Sequence, residues 1–270
     1  LMQETVATVV ANEELMPGTH VLWLEAPAVA RAAKPGQFLM ARGWPRYDPV
    51  LRRPLSIHRV ERPRRGTPTR CAVMASEGGR GTGLLARAQP GDVWDVLGPL
   101  GHGYAIETKA RNLLLIGGGL GLSPLVMLAE EAVGQGRAVT LLQGATSAAG
   151  LYPSHLLPPE VETFAVTGDG SAGRIGRLSD LVPEYLSWAD QVFACGSWGL
   201  YESLAGHAVL FQGKSFQVLA EVTAMGCGFG VCLGCTVETA RGYRLVCTEG
   251  PRFELLDLFP PGRALRHPLL

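Results

Sequence analysis

The stretch MGCGFGVCLGC at residues 225–235 carries Cys227, Cys232 and Cys235 with glycine in most of the gaps, and Cys247 follows as a lone fourth. A segment so rich in glycine and so poor in apolar periodicity will not hold a regular helix or strand of its own. The spacing Cys227-x4-Cys232-x2-Cys235 is that of plant-type 2Fe–2S sites, where a tight loop supplies three thiolates. A fourth thiolate, expected here on a nearby strand, closes the cage. Gly226, Gly228, Gly230 and Gly234 permit the close backbone approach that such wrapping needs. A structural zinc site competes, because four thiolates also suit a tetrahedral ion, but zinc ribbons show two paired CxxC knuckles and this chain has one. The cysteines as ordinary buried apolar residues are the third possibility. Colour separates these: a 2Fe–2S protein is brown and a zinc protein colourless.

The other two cysteines, Cys71 and Cys195, stand alone in apolar runs, and Cys71 reads as a core strand residue. Clustering of the remaining four suits a metal site in a reducing compartment better than a disulfide framework. At 270 residues, 47% of them hydrophobic, the chain can bury more than one core. Its 24 basic and 24 acidic side chains balance, which leaves no basic footprint for nucleic acid and no acidic tail. The apolar run LLLIGGGLGL (113–122) is too short and glycine-rich to cross a bilayer. LMQETVATVV at the start lacks the basic segment and apolar core of a signal peptide. A cytoplasmic protein with no membrane partner is expected.

Three parts follow from the pattern along the chain. Over residues 1–107, ETVATVVANEEL, THVLWLEA, QFLMA, PLSIHRVE, TRCAVMAS and DVWDVLG are short β-prone runs punctuated by Pro17-Gly18, Pro35-Gly36 and Pro90-Gly91. Six such strands predict a small antiparallel barrel, with one short helix around Thr82–Ala88. Over residues 108–212 strands alternate with helices: NLLLIGG, SPLVMLAEEAVGQG, AVTLLQGA, VETFAVTGD, RLSDLVPEYL, QVFACGS and GLYESLAGHAVL. That alternation predicts a parallel sheet with crossovers. Residues 213–270 hold the cysteines and short strands such as FQVLAEV and YRLVCTEG, too little for an independent core without a staple.

Two further stretches suggest ligands. LRRPLSIHRV (51–60) puts Arg53, Pro54, Leu55 and Ser56 at a strand start, where backbone and hydroxyl groups can lie along a flavin ring and the arginine can face its pyrophosphate. SEGGRGTGLLA (76–86) is a glycine turn whose Gly81 and Thr82 can supply N–H and hydroxyl donors to phosphate. Each alone is weak, and an RPxS strand start is more often structural; their order ahead of a nucleotide-type domain points to FAD. IGGGLGLSPLVMLAEEA (116–132) follows a strand and opens a helix, so Gly117, Gly118, Gly119 and Gly121 allow a sharp turn beside a bound dinucleotide. This is not the GxGxxG fingerprint, and no acidic residue about 20 positions later fills the ribose-binding role, so the choice between NAD and NADP stays open. FACGSWGLYESLA (193–205) is a second such corner, with Cys195 and Gly196 placed to lie near a nicotinamide, and TGDGSAGRIG (167–176) is a loop able to cover the ligand. A structural corner, a buried cysteine and a plain turn are the bland counterparts.

Taken together, PGQF (35–38), RRPLSI (52–57), the GxGT turn, GPLGHGY (98–104), LLIGGGLGLSPL (114–125), TGDGSAGRIGRLSDL (167–181), ACGS (194–197) and MGCGFGVCLGC (225–235) closely resemble one family, the electron-transfer subunit of NAD-dependent class 1B dihydroorotate dehydrogenase. The resemblance spans essentially the whole chain. It implies a ferredoxin-reductase-like FAD barrel, an NAD-binding α/β domain and a C-terminal 2Fe–2S module. It also implies an FMN-containing catalytic subunit as partner, two of each in a heterotetramer, serving pyrimidine biosynthesis. By position it makes Arg53, Pro54, Leu55 and Ser56 flavin contacts, adds Met74, Ala75 and Ser76 on a second flavin strand, and assigns Cys227, Cys232, Cys235 and Cys247 to the cluster. Two departures stand out. Ala75-Ser76 replaces a frequent Tyr-Arg pair, so a cation near the flavin phosphates is missing unless Arg80 supplies it, and CGS at 195–197 replaces CGP.

The three cofactors make chemical sense as a set, because NAD takes a hydride, a cluster passes single electrons, and FAD does both. The expected activity is that of an NAD-linked flavin/iron–sulfur oxidoreductase subunit within a complex, with no catalytic side chain of its own. His20, His58, His102, His155, His207 and His267 are scattered without metal-ligand spacing. Alternatives are the FAD/2Fe–2S subunit of a ferredoxin–NADP oxidoreductase or sulfur-reducing complex, and a non-enzymatic zinc-stapled binding module. A cluster must face its electron donor, so the partner surface is expected near residues 220–250.

Overall fold

In the computed structural model, which describes residues 3–44, 48–63, 65–211, 213–222 and 224–262, all six expected barrel strands form. They are β1 (Gln3–Met16), β2 (Thr19–Glu25), β3 (Phe38–Arg42), β4 (Arg53–Val60), β5 (Arg70–Ser76) and β6 (Val93–Leu100). They close in the order β1-β2-β5-β4-β3-β6, every pair antiparallel. Inward residues such as Val9, Leu22, Leu24, Ile57, Val73 and Trp94 fill the barrel, and Cys71 is among its buried strand residues. The helix α1 (Pro27–Ala32) was not expected; it has proline in its first turn and no side-chain cap, and buries Val29 and Ala30. The expected short helix is α2 (Arg80–Ala86).

Beyond the barrel the chain builds a seven-stranded sheet. In chain order its parts are β7 (Asn112–Gly117), α3 (Leu122–Gly134), β8 (Ala138–Ala145), β9 (Val161–Thr167), β10 (Arg174–Ile175), α4 (Leu178–Leu181), α5 (Pro183–Leu186), β11 (Gln191–Cys195), α6 (Trp198–Ala205) and β12 (Phe216–Leu219). After the cysteine loop come the hairpin β13 (Thr236–Thr239) and β14 (Gly242–Leu245), then β15 (Arg252–Glu254) and α7 (Leu255–Leu258). The sheet order is β10-β9-β8-β7-β11-β12-β15, parallel except for β15. Strands such as β7, NLLLIG, are apolar almost throughout because both faces are covered. α3 buries nine of its 13 residues, since it lies between the sheet and barrel strand β4.

The sheet runs across position 213. β12 pairs with β11 and β15 with β12, so two strands from the expected third part complete the nucleotide-type sheet. The cysteine loop, the β13–β14 hairpin and α7 stand outside it. RLSDLVPEYL folds as two four-residue helices divided at Pro183 rather than one. Among the described residues no helix is long and apolar enough to cross a membrane.

Candidate functional site

Where the barrel, the sheet and the cysteine loop meet, a cavity of about 250 Å³ opens. β4 lines it with Pro54, Leu55 and Ser56, β5 with Met74, Ala75 and Ser76, and α2 with Thr82. Cys195, at the end of β11, faces it from the sheet, together with Ser123 at the start of α3. Burial pushes the Cys195 thiol up, so it stands as a neutral wall rather than a thiolate. Met225 and Val246, which flank the cysteine positions, form a third side. Ser123, Met225 and Val246 escape sequence reasoning because they carry no ligand chemistry; only their place beside a motif marks them.

Arg53 and Gly81 are at the edge of this cavity rather than on its lining. A Cβ on Gly81 would fall 2.5 Å from Arg53 Nε, so the guanidinium packs directly on the glycine turn. Its Nη1 donates to the Leu51 carbonyl at 2.7 Å. Arg80 is turned away, its two Nη groups bonded to both carboxylate oxygens of Asp48 at 2.9 and 2.8 Å. The cation at the turn is therefore Arg53, not Arg80.

Beneath the cavity lies a buried polar strut. His58 Nδ1 is 3.0 Å from the Ser123 carbonyl and Nε2 is 3.2 Å from the Tyr152 hydroxyl. A carbonyl only accepts, so Nδ1 carries the proton and Tyr152 donates to Nε2. Ser123 Oγ in turn donates to the Ser56 carbonyl at 3.3 Å, and the Tyr152 backbone is held by Gln143 at 2.9 Å. Burial first, and then the charge of Arg59, hold the His58 pKa down to about 4 against the help of the Ser123 carbonyl. This histidine is a satisfied core residue that ties the cavity-lining strand β4 to α3. His20 meets Asn12 at 3.0 Å, and His267 lies outside the described residues.

The four cysteines converge as two pairs. Cys227 interacts with Cys232 and Cys247 with Cys235, and the Cys247 thiol also senses Cys227. Partial burial raises the Cys227 pKa, but the backbone N–H groups of Cys232, Phe229 and Val231 outweigh it and bring the thiol to about 6. Burial, then the hydrogen bond and charge of Cys235, push Cys247 up to about 12. Cys247 lies in the turn after β14 and not on a strand, correcting the expectation; Val246 N–H donates to the Cys235 carbonyl at 3.0 Å and fixes it there. Leu233 takes a φ of 59° between Cys232 and Gly234, the left-handed geometry that reverses the loop. Among the described residues no three His, Cys, Asp or Glu side chains close on a single point as one metal ion requires. Two thiol pairs side by side, with amide hydrogens aimed at sulfur, fit a binuclear cluster that takes four cysteines.

At the C-terminal end of the sheet a second cleft, about 510 Å³, is lined by Gly118, Gly196 and Ser197 and by Gly144, Ala145 and Thr146 at the end of β8. Gly168 and Gly176 bring the 167–176 loop to its rim. The glycines of the first corner divide their work. A Cβ on Gly118 would fall 2.3 Å from the Gly144 carbonyl oxygen, and one on Gly121 2.2 Å from that of Cys195. Gly117 packs on Leu125, and Gly119, at φ 54°, faces open space. Gly121 has an ordinary φ of −62°, so its need is purely steric. Gly121→Ala is expected to destabilise the fold by about 2 kcal/mol, because backbone stands on backbone and cannot retreat. A melting temperature equal to wild type would contradict this.

A family model described as the iron–sulfur cluster binding domain of dihydroorotate dehydrogenase B matches residues 223–258. The chain is 36% identical over 254 residues to a dihydroorotate dehydrogenase B (NAD(+)) electron transfer subunit from Geobacillus thermodenitrificans, covering 91% of this chain and 95% of that one. A subunit of the same description from Desulforamulus reducens is 32% identical over 254 residues, covering 92% and 95%. Among solved structures, an NADH-dependent reduced ferredoxin–NADP oxidoreductase aligns with a TM-score of 0.82 at 24% identity, covering 94% of this chain and 90% of that one. A ferredoxin NADP+ reductase from Neisseria gonorrhoeae with bound FAD and NADP aligns with a TM-score of 0.62 at 15% identity, covering 77% and 92%. These two show the shared fold.

Proposed function

The chain belongs to the family of dihydroorotate dehydrogenase B (NAD(+)) electron transfer subunits, and from that premise we propose that it passes electrons from the FMN of a catalytic partner to NAD as dihydroorotate becomes orotate. A 2Fe–2S cluster on Cys227, Cys232, Cys235 and Cys247 and an FAD in the 250 Å³ cavity lie between them. The barrel, the seven-stranded sheet and the cysteine loop with its hairpin then serve FAD, NAD and the cluster, in a cytoplasmic complex of two subunits of each kind. The observation that carries this reading is a shared wall. Met225, two residues before Cys227, and Val246, next to Cys247, line the same cavity as Ser56, Ala75 and Cys195.

Bound FAD supplies the exchange between paired and single electrons. The chain's own residues position and exclude. Pro54, Leu55, Met74 and Ala75 give apolar walls, while Arg53 and Thr82 offer a cation and a hydroxyl to a pyrophosphate. Gly118 and Gly196 leave space for the dinucleotide. No side chain acts as acid, base or nucleophile. The likeness to ferredoxin–NADP oxidoreductases rests on fold alone and favours no second reading. The test is anaerobic purification with the FMN subunit: iron, acid-labile sulfide, FAD and orotate-linked NAD reduction are expected together. Fresh material lacking iron and sulfide would overturn the proposal.

In this reading the partner docks against the cysteine loop. Cys232 is exposed there, and Val231 and Leu233 beside it are 71% and 62% exposed, an apolar display that a solvated loop does not need. The double substitution Val231→Glu with Leu233→Glu is expected to weaken assembly with the FMN subunit by about tenfold or more. Iron and flavin content should hold. Unchanged affinity in a binding titration would move the interface elsewhere.

A further inference from the structure

Between the outer wall of the barrel and the last turns of α3 lies an open cleft of about 850 Å³ that the redox scheme does not use. Its wall follows from the two-residue period of the strands. In β2, Leu22 and Leu24 fill the barrel, so Trp23 between them points out. Residues paired across strands share a face, and Trp23 stands opposite Ala11 on β1 and Ala72 on β5, with Arg59 on β4 next in the row. Alanine on either side leaves room beside the indole, which is half-buried in the cleft. Among the described residues no other ring contacts it.

The charges of the cleft do not cancel. Arg59, Arg62 and Arg70 line it against Glu61 and Glu130. Two of the arginines are engaged. Arg59 Nε lies 2.7 Å from Glu130 Oε1 and its Nη2 donates to the Leu156 carbonyl, while Arg70 Nε pairs with Glu25 at 2.8 Å and its Nη1 lies 4.0 Å from Glu61 Oε1. Arg62 makes neither ion pair nor hydrogen bond among the described residues. Its Nη1 would stand 3.9 Å from a Cβ on Gly134, the last residue of α3, so the guanidinium reaches from the barrel to the helix end. The cleft thus offers an aromatic face and an uncommitted cation. The elements that form it also border the 250 Å³ cavity: β4 gives Ser56 to the cavity and Arg59 to the cleft, and α3 gives Ser123 to one and Glu130 to the other.

We propose that this cleft binds a nucleoside monophosphate, with the base stacked on Trp23 and the phosphate on Arg62, and that its occupancy alters flavin reduction through β4 and α3. A planar base gains from stacking on an indole face, and a phosphate meets a guanidinium through paired charge-assisted hydrogen bonds. The Glu61 carboxylate lines the same cleft as an acceptor for ribose hydroxyls. Binding is independent of what the 250 Å³ cavity holds; the effect on reduction rests on its holding FAD.

The test is calorimetric titration of the flavin- and cluster-loaded protein, kept in excess NAD to fill any dinucleotide site, with UMP, CMP, GMP and AMP and with their uncharged nucleosides. At least one monophosphate should bind with a Kd below about 1 mM and about tenfold tighter than its nucleoside. Arg62→Glu, a change at an exposed side chain, should erase that advantage while the nucleoside affinity stays within about twofold. Trp23→Leu should weaken both forms about tenfold. No binding by any of the four, or binding that survives both substitutions, would overturn the site. NADH-driven dye reduction should change severalfold when the monophosphate is added to wild type and stay constant when it is added to Arg62→Glu. An unmoved wild-type rate, or the same change in Arg62→Glu, would overturn the coupling.

Discussion

Cys235→Ser is expected to cut orotate-linked NAD reduction by the assembled complex to below about 1% of wild type, while NADH-driven dye reduction stays within about twofold. Cys235 is 1% exposed, hydrogen-bonded to the Cys247 thiol on one side and holding the Val246 amide through its carbonyl on the other. Serine matches its size, so the backbone tie survives. A hydroxyl is nonetheless far harder to ionise than a thiol and supplies no fourth thiolate. On the proposed reading, dye reduction needs only the cavity assigned to FAD and the cleft assigned to the dinucleotide, which serine at 235 leaves untouched. Iron, sulfide and the visible spectrum should fall together, with flavin content unchanged. A serine variant that keeps a full complement of iron and its orotate-linked rate would show that the cysteine pairs are structural. A zinc staple would instead give a colourless wild type.

What could be read from the chain divides along physical lines. The barrel strands were legible because alternation and Pro-Gly turns are local signals, and β1 to β6 fall where they point. Cys227, Cys232 and Cys235 were legible because ligand spacing is local too. α1 was not: PAVARA has neither side-chain cap nor apolar period, and packing of Val29 and Ala30 holds it. Sequence alone puts the fourth thiol on a strand because YRLVCTEG looks β-prone to its end. In the fold β14 stops at Leu245, and the Thr248 and Glu249 amides turn back onto the Leu245 carbonyl. The sheet membership of β12 and β15 is a matter of pairing across the chain, which no window of sequence contains. The His58 strut joins residues 65 and 94 positions apart, so nothing near LSIHRV announces it.

That strut carries an expected pH effect on stability below neutral pH. His58 has an ordinary pKa of 6.5 when unfolded and about 4 in the fold, with Arg59 the neighbouring charge and Tyr152 and Ser123 its hydrogen-bond partners. Above 6.5 both states are neutral at this residue and it contributes no slope. Between 6.5 and 4 the unfolded chain binds a proton that the folded chain refuses, so stability falls as pH falls. The shift corresponds to about 3 kcal/mol, lost progressively over that window and complete near pH 4. His58→Gln offers one donor for the Ser123 carbonyl and one acceptor for the Tyr152 hydroxyl, but takes up no proton. Its stability curve should lack this component, while carboxylate contributions common to both proteins cancel in the difference. Because Ser123 lines the cavity proposed for FAD, acid release of the flavin should follow the same window in wild type and shift lower in the variant. Parallel urea midpoints for the two proteins from pH 7 to pH 4 would show that the buried imidazole is already charged in the fold, and that the strut does not hold the two halves of the site together.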